Sequence, residues 1–416
     1  MRQMVLANCR FVAELGTAAA GDTALMVRDG SISATGAADD LIAEARSTGA
    51  VDLIDLDGGY LLPGLINMHT HFGVIHSGTT DEARLRGETE AGMALRMADC
   101  ARSTLEAGVT TVRLVSERRH LDTALRSAIG RGQVLGPRIF TAGQAVAGTG
   151  GHGLGSHAAE ADGPAEFRAL TRSQIKHGAD LVKVMISGGI SDEHEGLNRM
   201  EIAEDELRAA IDTAHAWGRA VAGHLGGADV IDLAIDCGVD TVEHGYQLTE
   251  PVARKMADRG VWLVPTMAVS RGGEYFKRIG APGWLVDRLD AFAPRHLESV
   301  AVAARCGVKI VAGTDFVPSE AFDDTSAMVR ELEHLVSAGL TPIDALRAAT
   351  TLASECLGTT GQLGCISPGA AADLVAVDGD PRVDISTLRR LRLIVAGGRV
   401  VGGAGQKNIE TVSRRS

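Results

Sequence analysis

Between residues 64 and 357 the chain keeps repeating one unit, a short apolar run followed by an amphipathic stretch of helical period. Eight runs can be read: GLINMH (64–69), TTVRLV (110–115), RIFTAG (138–143), LVKVMI (181–186), AVAGHL (220–225), TVEHG (241–245), WLVPTM (262–267) and KIVAGTD (309–315). The stretch EDELRAAIDTAHAWG (204–218) typifies the segments between them, with apolar residues at helical spacing and a glycine stop. Parallel strands need a crossover of about a dozen residues or more, usually a helix, so the alternation predicts an α/β fold with a parallel sheet. Eight strand–helix units favour a closed (β/α)8 TIM-like barrel over an open sheet.

The two chain ends read differently. MVLANCRFV, ALMVRDGSISATG and LIDLDGGYLLPG alternate β-like runs with turns, and Asp29-Gly30 has the chemistry of a tight hairpin turn. The same patterning returns in ADLVAVDGDP (372–381) and LRLIVAGGRVV (391–401). The expected organisation is a barrel over residues 63–360 beside a small β-sandwich domain assembled from 1–62 and 361–416. The full length of 416 residues suits that division.

A formal net charge of −12 argues against nucleic acid or an anionic membrane as partner, since both demand basic patches. Six cysteines, at 9, 100, 237, 306, 356 and 365, show no C-x-x-C spacing and read as reduced thiols of a cytoplasmic protein. The N-terminal residues lack the apolar run of a signal peptide, and no apolar stretch approaches the ~20 residues of a membrane span.

In a barrel of this kind, chemistry sits at the carboxyl ends of the strands. The first run ends in His69-Thr70-His71, and residues two apart on a strand share a face. Lys183 lies on the fourth run, His224 ends the fifth, His244 the sixth and Asp315 the eighth. Each alone is weak, because a lone histidine is usually a packed or surface residue and GTD is usually a turn. Their conjunction at matching strand ends reads as a metal site. Lys183 is the most telling, because an ammonium flanked by apolar residues is costly. Either it pairs with an acid inside the barrel, or its neutral amine captures carbon dioxide as a carbamate whose two oxygens bridge two ions. The GTGGHG segment (148–153) fits a nucleotide-binding pattern, but the next residues, LGSHAAEADGP, open no apolar-periodic helix to cradle a pyrophosphate. Arg113 is a candidate for holding a substrate carboxylate, with a structural ion pair as the alternative. Tyr246 is either a pocket-lining residue or a packed aromatic.

These segments resemble the amidohydrolase superfamily over nearly the whole chain. LPGLINMHTHF is similar to its first-strand signature; VKVMISGG, GHLGG, EHG and GTD follow in the family's order, and GCISPGAAADLVAVDGDP resembles its C-terminal flanking segment. TTVR (110–113) and GGHG (150–153) resemble the binuclear group related to Xaa-Pro dipeptidases and imidazolonepropionase-like proteins. The resemblance implies two divalent ions, zinc by their nitrogen and oxygen ligands. His69, His71 and Asp315 would hold one, His224 and His244 the other, with Lys183 bridging them as N6-carboxylysine. It further implies hydrolysis of an amide-like C–N bond, Asp315 acting as base and then acid and His152 steadying the oxyanion or carbonyl. The partner would be a small-molecule substrate and the assembly a homo-oligomer. Two departures bear on specificity: Gly226 stands where relatives have the tyrosine of AHAYG, and Leu114 where they have the aspartate of TTVRD. Both suggest a roomier or more apolar pocket, suited to an N-acyl amino acid, dipeptide, carbamate or urea with a bulky group. A mononuclear reaction on a ring, by deamination or imidazolone opening, and a catalytically silent binding protein are the competing readings.

Overall fold

The structure is a computed structural model that describes residues 3–12, 15, 21–74, 87–153, 157–191, 193–322, 324–403 and 409–412. The chain divides into two compact units. One comprises Met1–Ile66, Ser103–Thr111 and Thr341–Ser416; the other comprises Asn67–Arg102 and Val112–Leu340.

In the first unit, one five-stranded sheet runs in the order Ile409–Val412, Val51–Asp55, Gln3–Ala7, Ala24–Arg28, Ser31–Gly36. A second runs Arg10–Phe11, Tyr60–Pro63, Leu374–Val377, Leu391–Ala396, Arg399–Gly402. Each sheet interleaves strands from both chain ends; Leu374 pairs with Pro63 and Val377 with Tyr60 in an antiparallel ladder. Side chains from both sheets share one buried cluster, among them Leu6, Leu25, Leu61, Leu374 and Leu393. The hairpin at Asp29-Gly30 forms as the sequence indicates: Arg28 faces Ser31, and both turn residues take positive φ (47° and 87°), as a two-residue primed turn requires.

The second unit is mixed α/β. The first, second and third strands of the predicted series are Leu65–Thr70, Val109–Leu114 and Arg138–Thr141, and they form one sheet. A six-stranded sheet contains Ala145–Ala147 followed by the fourth to seventh strands, Val182–Met185, Val221–Gly227, Thr241–Gln247 and Trp262–Val264, all paired in parallel. The third run is broken at Gly143, whose φ of 68° turns the chain between Thr141 and Ala145. The Asp180 N–H reaches the Thr141 carbonyl across that break.

The eighth run, 309–315, corrects the expectation of a regular strand. It contributes a single bridge, Leu263 to Ile310. Its backbone nevertheless serves neighbours on two sides: Leu263 N–H donates to the Lys309 carbonyl, Val311 N–H to Leu263, and Met68 N–H to Ala312. Gly313 is why this segment sits so close. A Cβ there would lie 2.6 Å from Val264 Cγ1 and 2.7 Å from His69 Cβ. Among the described residues, no helix is long and apolar enough to cross a membrane. None of the six cysteines forms a disulfide.

Candidate active site

His69, His71, Lys183, His224, His244 and Asp315 all line one cavity of about 250 Å3, lying within the second unit. Donor atoms of His69, His244 and Asp315 fall within 4.8 Å of one another. Asp315 Oδ1 is 3.3 Å from His69 Nε2 and 3.1 Å from His71 Nε2. The ring centroids of His224 and His244 are 4.4 Å apart, and those of His69 and His244 4.9 Å apart.

The strand ends that present these groups are bent into unusual backbone. His244, Thr266 and Asp315 have φ of 71°, 55° and 57°. A left-handed β-branched residue such as Thr266 is a genuine outlier, and such conformations cost about 1–3 kcal/mol each unless their surroundings enforce them. Here the surroundings do. Thr266 Oγ1 hydrogen-bonds His244 Nδ1 at 2.7 Å. The buried Glu331 carboxyl accepts the next two amides, Met267 N–H at 3.0 Å and Ala268 N–H at 2.7 Å. The His296 ring reaches the His244 carbonyl at 2.9 Å. Both Thr314 and Asp315 donate their N–H to the His69 carbonyl, which aims the aspartate back at the first strand.

Two ligand-type atoms of the cavity lining stand without a partner. Lys183 Nζ and His224 Nε2 are buried and make no hydrogen bond. Lys183 is 1% exposed, and burial pulls its amine down to about 8, against the opposing fields of Glu243 and Asp315. Burial likewise holds His224 and His244 well below the ordinary imidazole range, helped by the neighbouring histidines, so both rings are neutral with a free lone pair.

A second ring of residues fixes the rings of the first. Glu243 Oε2 lies 2.6 Å from His69 Nδ1, while its Oε1 accepts from Arg113 at 2.7 Å and from the Thr241 hydroxyl. His71 Nδ1 donates to the Ser116 carbonyl at 2.9 Å. Arg113 is therefore occupied: Nε reaches the Met68 carbonyl at 2.5 Å, Glu243 holds the fork, and the side chain does not line the cavity. Of its two sequence-level alternatives, the structure builds the ion pair and not a substrate contact. Tyr246 does line the cavity, stacked on His244 at 5.3 Å.

His152 also faces the cavity, its ring stacked at 4.1 Å on His224. Its Nδ1 lies 2.6 Å from Glu195 Oε2, and its N–H donates to Glu201 at 2.7 Å. His157, which sequence reasoning misses, joins the lining 5.4 Å from the His71 ring. Sequence reasoning misses Glu243 and Glu195 too. The signal available for Glu243 is the one that marks Lys183, a charge inside a central strand; for Glu195, an acid in a polar loop, the sequence offers none.

Away from the histidines one wall is apolar, formed by Ile190, Val269, Tyr275, Phe276, Leu289 and Phe316, while Arg96, Ser191 and Glu320 also line the cavity. The room expected at Gly226 is taken. A Cβ there would meet Leu197 Cβ at 2.8 Å and the Leu197 carbonyl at 2.9 Å. The departure therefore opens no room at Gly226, because Leu197 fills that space.

Four histidines, a lysine and an aspartate gathered at one cavity are the donor set of a metal-dependent hydrolase of amide-like C–N bonds. Residues 60–412 match the profile of the Amidohydrolase family, and the chain belongs to that family. Ochratoxinase of Aspergillus niger is 28% identical over 417 residues, covering 92% of this chain and 84% of that protein. Its crystal structure superposes with a TM-score of 0.82 at 26% identity, covering 97% of this chain and 96% of that one. A prolidase crystallised with N-methylphosphonate-L-proline gives a TM-score of 0.82 at 27% identity, covering 96% and 99%. An uncharacterised Mycobacterium tuberculosis protein is 30% identical over 357 residues, covering 83% of this chain and 86% of that one.

Proposed function

We propose that the cavity holds two divalent metal ions, most simply zinc, and hydrolyses an amide-like bond whose substrate carries a bulky, preferably aromatic, apolar group. The observation that carries this reading is the pair of orphaned atoms, Lys183 Nζ and His224 Nε2, beside the His69, His244 and Asp315 cluster. Buried polar atoms are nearly always partnered, and these two are aimed into a site rich in nitrogen and oxygen donors. His69, His71 and Asp315 would hold one ion and His224 and His244 the other. Lys183, its amine neutral, would add carbon dioxide with release of a proton, and the resulting carbamate would supply oxygen donors to the ions. We further read the parallel strands as a closed (β/α)8 barrel, with the interleaved chain ends as a β-sandwich.

Ions bound there supply Lewis acidity and a water acidified enough to attack near neutral pH. The chain's own groups do the rest. Asp315, hydrogen-bonded to two histidines and held ionised, accepts the proton of the attacking water and delivers it to the leaving nitrogen. His152 hydrogen-bonds the carbonyl oxygen as negative charge develops on it. The apolar wall takes the substrate's bulky group and keeps bulk water away from the reacting carbon. Among similar proteins are an ochratoxinase and a prolidase crystallised with N-methylphosphonate-L-proline.

The test is metal analysis of wild type and Lys183→Ala, with a screen against N-aroyl amino acids, dipeptides, carbamates and aryl ureas. Wild type should hold two ions per chain, show a carbamate carbon after labelling with 13C-bicarbonate, and turn over at least one amide. Lys183→Ala should fold, judged by circular dichroism, yet retain fewer than one ion. Two ions retained in the variant, or one ion and a bare lysine in wild type, would overturn the binuclear site; the latter favours mononuclear chemistry.

A further inference from the structure

His152 is held from three sides, and every hold comes from the segment after the fourth strand. Glu201 Oε2 fixes its backbone N–H at 2.7 Å. Glu195 Oε2 fixes ring atom Nδ1 at 2.6 Å and accepts the Gly189 N–H at 2.7 Å. Gly189 provides the floor: a Cβ there would lie 2.8 Å from His152 Nδ1 and 3.1 Å from Nε2, so only a glycine lets the ring lie against the backbone. The fastening continues outward. Arg288, on the helix Gly283–Arg305, donates to the carbonyls of Glu195 at 2.7 Å and Gly189 at 3.1 Å. To either side of it along that helix, Leu285 and Leu289 form part of the cavity wall.

We propose that Glu195 is a positioning residue for His152, fixing Nδ1 as a donor to its carboxylate and turning the Nε2 edge of the ring to the substrate. A carboxylate can only accept, so the Nδ1 atom facing it bears hydrogen; Nε2 is turned to the substrate, and it donates to the carbonyl oxygen while it too bears a proton, a cationic ring that the Glu195 carboxylate balances. Glu195 touches no reacting atom; it acts through the imidazole, as a carboxylate behind a ligand histidine orients that ring. Arg288 keeps the carboxylate in place from a helix that also forms the apolar wall. This inference rests on the amide-hydrolase reading, since it presumes that His152 meets the carbonyl oxygen.

A double-mutant cycle separates positioning from general structural support. With the best amide from the screen, Glu195→Ala should lower kcat about 10- to 100-fold, change KM less than about threefold and leave metal content unaltered. In a His152→Ala background the same substitution should change kcat less than about twofold, because the ring it orients is gone. Gly189→Ala, which pushes the ring off its floor, should follow the same pattern. Equal losses in both backgrounds would overturn the proposal. A second readout needs neither substrate nor metal: in 15N-histidine-labelled metal-free protein, the signal lost in His152→Ala should show a protonated Nδ1 in wild type and a mixture of tautomers in Glu195→Ala. An unchanged spectrum in Glu195→Ala would likewise refute the assignment. Failure of the amide screen alone would count against the hydrolase reading and leave the spectroscopic test standing.

Discussion

Both oxygens of Glu243 are taken by groups that serve the site: one by His69 Nδ1, the other by Arg113 and the Thr241 hydroxyl. Its carboxyl is held far below the ordinary range; burial opposes ionisation, but Arg113 and His69 more than compensate. Glu243→Gln keeps the shape and removes the charge. It leaves a buried guanidinium without its counter-ion, a change that costs roughly 3–5 kcal/mol when one partner of a buried pair is lost. The His69 ring also loses the acceptor that fixes its tautomer, which should weaken divalent metal about 10- to 100-fold. Competitive chelator titration and a thermal melt measure the two effects; metal affinity within about twofold of wild type would refute the orienting role. Lys183 is legible in the sequence because a charge in an apolar strand has few explanations. Glu243 carries the same signal, but its partner is hidden. Arg113 lies 130 residues away on another strand, and which of two buried charges meets which depends on sheet order, a tertiary fact.

Seven of the eight predicted runs form strands, because short apolar runs and helix-length spacers are local properties that sequence displays directly. The eighth does not, and the reason lies at Gly313. Its Cα faces both Val264 and His69, and the chain there trades ladder pairing for single bonds to neighbours on two sides. Gly313 has no positive φ, so alanine is resisted by space alone. Gly313→Ala should therefore cost about 1–3 kcal/mol, the usual range for overpacking. It should also push His69 away from Asp315, so that metal affinity falls together with the melting temperature. A variant that melts and binds metal like wild type would show that this segment has slack the structure lacks. Gly226 teaches the complementary lesson: sequence shows that a tyrosine is missing, but only the fold shows Leu197 seated in its place.

For the whole molecule, pH acts through buried groups on opposite sides of neutrality. Burial lifts Glu117 to about 7 and Glu331 to about 8, although each accepts two backbone amides. Folded protein thus keeps two protons that the unfolded chain releases near its ordinary carboxyl range, so these groups make stability fall as pH rises from about 4.5 to 8. Buried histidines pull the other way. His296 is lowered to about 4 and His334 to about 3, and His157, His224 and His244 are held well below the ordinary imidazole range, mainly by burial. They stay neutral in the fold, so their contribution is complete above the ordinary imidazole value near 6.5 and is lost as pH falls below it. Five histidines outweigh two carboxyls on the acid side; above about 6.5 the carboxyls still titrate, and so does His71, in which burial is outweighed by the hydrogen bond to Asp315 and whose contribution is likewise lost as pH rises. Lys183, lowered to about 8 from 10.5, adds stability only at pH values above 8. Metal-free protein should accordingly melt highest near pH 6.5 and roughly 1–3 °C lower at about pH 8, a modest shift because the melting entropy of a chain this long is large. Glu331→Gln, neutral at every pH, should flatten that alkaline slope while leaving the acid limb intact. Scanning calorimetry at constant ionic strength measures both curves, and a melting temperature that climbs steadily from about pH 6.5 to 8 in wild type would mean that these carboxyls are ionised in the fold.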